Sequence, residues 1–192
     1  MNIFKRIGAV LTGAKPEHAL ARDYPQNNLL SAPAFANYPQ KAYLGDQGIF
    51  AYRMEFMVTE ADARRILNTL NTEFDLMSQD MFQEGHLATP TQSIHFSLRP
   101  EFGGVRVAIV TNSVKLLEGI DALALEPPPP WAIFPEADPS ALGSLQGPMA
   151  YWWDWFFLPF WTTANASKRQ RYLAAHPTDQ EWVDFLMLHS PS

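Results

Sequence analysis

Three arginines and a histidine fall on one phase of an alternating pattern. Arg53 lies between Tyr52 and Met54, His95 between Ile94 and Phe96, Arg99 just after Leu98, and Arg106 between Val105 and Val107. If the apolar members of each run face a core, the opposite sheet face carries Arg53, Glu55, His95, Ser97, Arg99 and Arg106. Guanidinium groups hold phosphate or carboxylate through paired hydrogen bonds. Arg53, His95, Arg99 and Arg106 are therefore the candidate anion-binding residues, and an enzyme acting there on an anionic small molecule is one reading. An ordinary solvated face, or one salt-bridged to acids elsewhere, is the commoner use of such residues.

Other chemistry is hard to find. The five histidines, His18, His86, His95, His176 and His189, show neither HExxH nor HxH spacing, so neither a metal nor a cofactor is expected. Glu84-Gly85-His86 places a carboxylate near an imidazole, which a surface loop supplies by chance. The Ser elbow, the P-loop and the dinucleotide fingerprint are missing. With no cysteine, a disulfide scaffold, a zinc ribbon and a thiol nucleophile are excluded.

Charge is the next signal. The net charge is -6, which argues against a nucleic-acid partner. Neither Lys nor Arg occurs from Ile66 to Leu98 or from Leu116 to Ser167. The second stretch carries Glu118, Asp121, Glu126, Glu136 and Asp138, the candidate residues for binding a basic protein partner.

These residues need elements to hold them. Phe50 to Val58 alternates as a strand. Thr59 to Asp62 resembles a capping box, and Ile66, Leu67, Leu70, Phe74 and Met77 continue at helical spacing, which predicts a helix over 60–77. Two further strands flank a turn at residues 100–104. The expected unit over 48–111 is β-α-β-β, with Phe56, Ile66, Leu70, Phe96 and Val107 in one core. The fold class is α+β: a small antiparallel sheet covered by helices.

Residues 114–125 fit a helix better than a strand. Pro127 to Pro130 reads as a rigid connector. Residues 148–192 read as helices, with Pro159 kinking or ending the first. Ser167 is the expected cap of the second helix and Thr178 of the third. Tyr151, Trp152, Trp153, Trp155, Phe156, Phe157, Phe160 and Trp161 cannot all face one core from a single regular helix, and any ring left exposed would mark an interface.

Residues 1–47 form a separate region, a short amphipathic helix at Ile3–Leu11 followed by a proline-rich extended arm. Residues 48–192 form a single domain. The N-terminus makes a poor signal peptide, and the aromatic run is too short to span a bilayer. A cytoplasmic protein without a membrane span is expected.

The spacing Tyr151-Trp152-Trp153, Pro159-Phe160-Trp161, Lys168, Tyr172-Leu173, Glu181-Trp182 and Phe185-Leu186 resembles small bacterial proteins, some of which look like immunity proteins of polymorphic or type VI secretion toxins. The resemblance covers the C-terminal third. It implies a non-catalytic protein that neutralises a toxin or effector domain by occluding its site; the acidic stretches make a basic domain the expected partner. An adaptor or structural component of a phage or secretion assembly is the alternative from another class.

Overall fold

The computed structural model describes residues 17–26, 35–76, 80–141 and 145–190. The expected amphipathic segment at 3–11 lies outside them, as does Ala32-Pro33 of the arm. Among the described residues the chain order is helix α1 (Glu17–Asp23), the two-residue strand β1 (Ala42–Tyr43) and strand β2 (Tyr52–Val58). Helix α2 (Glu60–Phe74) follows, then strands β3 (Gln83–Ala88), β4 (Ser93–Glu101) and β5 (Gly104–Thr111). The five strands form one antiparallel sheet in the order β1-β2-β5-β4-β3. The architecture is α+β, as the alternation and helical spacing predict, with two more strands, β1 and β3, than the expected unit.

The sheet is built from its centre outwards. β5 pairs with both β2 and β4, and its Val, Ala and Ile residues are buried on both faces. β4 turns into β5 through Phe102 and Gly103, whose φ angles are 50° and 66°. Positive φ at both central residues is the hairpin geometry that matches strand twist. Phe102 adopts it without being glycine, and its ring packs between Phe134 and Tyr151.

One face of the sheet carries the main core. Phe56, Phe96 and Val107 meet Ile66 and Leu70 of α2 there, the five residues expected together. Thr59 caps α2 by accepting from Asp62 N at 3.2 Å. The helix stops at Phe74 because Asp75 turns left-handed, φ 50°, and closes the end with a bond to Asn71 O. Met77, its expected last residue, lies outside the described residues.

Helix α3 (Val114–Ala122) is capped by Ser113 and adds Leu116, Leu117 and Ile120 to the same core. All four prolines from Pro127 to Pro130 are buried, and Tyr172 donates a hydrogen bond to Pro127 O at 3.0 Å. The connector is therefore packed into the body, and α4 (Pro130–Ile133) begins directly from it.

The C-terminal third is helical: α5 (Gly147–Trp152), a π-helical turn (Trp153–Phe157), α6 (Leu158–Thr163), α7 (Ala166–Ala175) and α8 (Gln180–Leu188). The π turn answers the aromatic problem. Buried rings come in pairs four residues apart: Trp152 and Trp153, Phe156 and Phe157, Phe160 and Trp161. A regular helix drifts about 40° with every four-residue step, so a strict period of four would walk off the core. The wider turn, in which Leu158 N bonds back to Trp153 O, takes up that drift. It also leads into Pro159, which has no N–H to give to the carbonyl of Trp155 and would crowd it in a regular helix. Six of the eight aromatics thus reach the core. Tyr151 and Trp155 stay exposed.

Two expected caps are corrected. α7 is capped by Asn165, which accepts from Lys168 N at 2.9 Å, and not by Ser167. α8 is capped by Asp179, which accepts from Trp182 N at 3.0 Å, and not by Thr178. In each case the extended residue whose short side chain can reach the N3 amide decides the cap, and it lies one or two residues from the expected position. Asp179→Ala should therefore cost about 1 kcal/mol of stability and Thr178→Ala much less. Urea midpoints of the two variants check this, and the reverse order would restore the expected cap.

Candidate functional site

The second sheet face is not simply solvated. α1 lies across it, and Leu20 and Tyr24 join Ile49, Ala51, Ala108 and Val110 in a smaller core. Tyr24 is the pin. Its hydroxyl donates to Val110 O at 2.7 Å and accepts from His95 N at 3.0 Å. Nδ1 of His95 lies 2.8 Å from the same oxygen.

Arg53, His95, Arg99 and Arg106 do share this face, but they do not converge. Arg53 and Arg106 both bind the Glu55 carboxylate, and Arg106 also holds Glu101 at 3.1 Å. Burial works against the charge on Arg106, yet Glu55 and Glu101 outweigh it and raise its pKa. Arg99 binds Glu84 at the exposed edge. Each arginine thus already carries a carboxylate, and an incoming anion would have to displace it.

His95 stands apart from the arginines. It is 1% exposed, and its Nε2 faces Asp23 Oδ2 at 3.4 Å. In the strand register it lies directly opposite His86. The two imidazoles stack with centroids 4.0 Å apart and planes 4° from parallel. His86 Nε2 in turn bonds Ser93 Oγ at 2.6 Å. One ligand atom each from Asp23, His86 and His95 lies within 4.8 Å of the others. This group departs from the expectation of no metal-ligating set. Pattern searches look for ligands close in sequence, whereas these come from a helix end and two paired strands. The signal that could have found it is the pairing register of residues 83–88 with β4.

The acidic candidates divide. Asp121 is turned inward: it binds Lys41, whose side chain is 1% exposed, and accepts from Ala36 N at 2.9 Å. Its charge fastens residues 36–41 of the arm to α3. Glu126 is half-buried beside Tyr172 and Lys168. Glu118, Glu136 and Asp138 are exposed, and Asp138 accepts from Ser140 N at 2.9 Å.

A cleft of about 410 Å³ opens beside β2, lined by Tyr38, Lys41, Arg53, Glu55, Asp154 and Trp155 among others. Trp155, 48% exposed, forms its wall together with the exposed Asp154. Both come from the π-helical turn, a distortion that recurs at functional sites.

No protein-family model, curated protein or solved structure matches the chain. Among the described residues, no helix is long and apolar enough to cross a membrane.

Proposed function

We propose that this chain is a non-catalytic binding protein that caps a basic protein partner, and that its cellular role is to neutralise a toxin or effector domain in the cytoplasm. The observation that carries the reading is Trp155. Its π-helical turn buries three of five side chains and lifts this ring into solvent at a cleft wall, beside Asp154. A tryptophan face attracts a Lys or Arg head group and the carboxylate next to it adds a counter-charge, a pairing suited to a cationic side chain from a partner. The exposed acids Glu118 and Glu136 and the net charge of -6 favour the same sign of partner.

An enzyme acting on an anion at the arginine face has less support, because Glu55, Glu101 and Glu84 already occupy Arg53, Arg106 and Arg99. An assembly adaptor would be marked by residues 1–16, which lie outside the described residues.

The test is affinity capture from the source cell with identification of the bound protein, followed by binding kinetics with the purified pair. The expected partner is rich in Lys and Arg. Trp155→Ala should weaken it tenfold or more while leaving the melting temperature unchanged. Reversing Glu118 and Glu136 to Lys should slow association about tenfold at low salt and less at high salt, since long-range attraction is screened. An acidic partner, or kinetics indifferent to Trp155→Ala and to salt, would defeat the proposal.

A further inference from the structure

We propose that Asp23, His86 and His95 form a binding site for a divalent transition-metal ion, Zn²⁺ in the first instance, which fastens α1 to the outer strands of the sheet. The argument starts from one hydrogen. The Tyr24 hydroxyl has a single proton, and Val110 O at 2.7 Å can only accept. That proton therefore goes to Val110, and the Tyr24 oxygen must accept from its other neighbours. His95 Nδ1, 2.8 Å away, then carries a hydrogen and donates it. This tautomer is assigned from the network of bonds around it. In the neutral ring the Nε2 lone pair points at the Asp23 carboxylate.

An imidazole nitrogen facing a carboxylate oxygen needs a positive species between them, either a proton, which makes the pair an ion pair, or a metal ion. The spacing suits a metal ion. Ligand atoms at about 2.0–2.1 Å from a tetrahedral Zn²⁺ stand about 3.3–3.4 Å apart. The Nε2–Oδ2 separation here is 3.4 Å. The third ligand comes from His86, whose Nε2 is engaged by Ser93 Oγ, which leaves Nδ1 for the ion. One ligand atom of each residue lies within 4.8 Å of the others. Because an imidazole holds an ion in its own plane and the two rings lie stacked, this exposed ring on an edge strand has to turn out of the stack as well as close by about 1.4 Å to bring Nδ1 to the ion.

Both histidines thus have one ring nitrogen held by a hydroxyl, which leaves the other for an ion. That is the outer-shell arrangement by which proteins orient metal-binding imidazoles. Two imidazolium cations 4.0 Å apart would repel, so the stacked pair is not doubly protonated. Two imidazoles and one carboxylate suit zinc or ferrous iron better than magnesium or calcium. Three protein ligands leave a fourth position for water. The site is independent of the Trp155 cleft, and neither reading needs the other.

The experiment uses the full, tag-free chain after treatment with chelator. Calorimetric titration with Zn²⁺ should show one ion per chain with micromolar or tighter affinity, and Mg²⁺ should show no uptake. Co²⁺ should give the intense visible bands of a tetrahedral site. His86→Ala should weaken Zn²⁺ at least 100-fold and abolish those bands. Its side chain is exposed, so the variant should fold, which circular dichroism checks. Asp23→Asn should weaken binding about tenfold or more. His189→Ala, in the helical layer, should bind as the parent does. If the parent takes up no Zn²⁺ or Co²⁺, or if His86→Ala binds as tightly as the parent, the proposal is overturned. The Asp23–His95 contact is then a proton-bridged ion pair.

Discussion

Trp161→Ala should remove about 3–5 kcal/mol of folding stability, among the largest losses a single truncation can cause. The ring is fully buried. It stacks on Phe157 at 5.8 Å and meets Tyr172 at 6.2 Å, and the Arg169 guanidinium lies 5.8 Å from its centre. Its indole N–H donates to Leu186 O at 2.8 Å, so one side chain joins α6, α7 and α8. Truncation leaves a cavity among rigid aromatics that cannot collapse into it, which puts the cost at the upper end. Trp161→Phe should cost less, because Leu186 O keeps bonds from His189 N and Ser190 Oγ. Urea denaturation of the three proteins measures both steps. A loss below about 1 kcal/mol for Trp161→Ala would mean that these helices do not share one core.

A second large effect is expected in alkali. The phenols of Tyr38 and Tyr172 are buried and donate to Met57 O and Pro127 O. Burial, with Glu126 adding to it, pushes the pKa of each well above the ordinary tyrosine value. In the unfolded chain both ionise near pH 10. Above that pH the unfolded state binds fewer protons than the folded one, so stability falls as pH rises. The contribution is complete below pH 10 and is lost as pH climbs toward the folded values. Each phenol steepens the fall by about 1.4 kcal/mol per pH unit, and the pair by about 3. Tyr24, likewise raised by burial, adds a third such step, so Tyr172→Phe should remove about a third of the slope that urea curves at pH 9, 10 and 11 measure. Constant stability from pH 9 to 11 would contradict the burial of these phenols.

What could be read from the residues alone follows from which signals are local. β2, α2, β4 and β5 are legible because each has one apolar face with an unbroken period, and a one-residue slip would expose the whole face. β3 is not legible. Gln-Glu-Gly-His-Leu-Ala has no alternation, because an exposed edge strand needs none and is held by its partner's backbone. The cross-strand partner of His95, His86, is therefore not legible either. Alternation places Arg53, His95, Arg99 and Arg106 on one side of the sheet, but the pairing of the arginines with Glu55, Glu84 and Glu101 depends on neighbours that no single-strand pattern shows. The inward turn of Asp121 is not legible either, because a helix face does not reveal a lysine 80 residues earlier in the chain. Spacing alone does not single out Trp155 as the exposed ring, since its place depends on the π turn at Trp153–Phe157, which a regular helical period does not contain.

The pin made by Tyr24 also bears on how the chain is synthesised. Its acceptor, Val110, lies 86 residues further on. At 5–20 residues per second, the ribosome needs roughly 4–17 s to deliver that acceptor after Tyr24 has been made. During that interval Leu20 and Tyr24 have no sheet to rest on, and α1, seven residues long, is too short to persist by itself. This early segment is thus among the last to find its place. A nascent chain stalled before β5 would present this stretch, with its apolar side chains, to whatever meets emerging polypeptides.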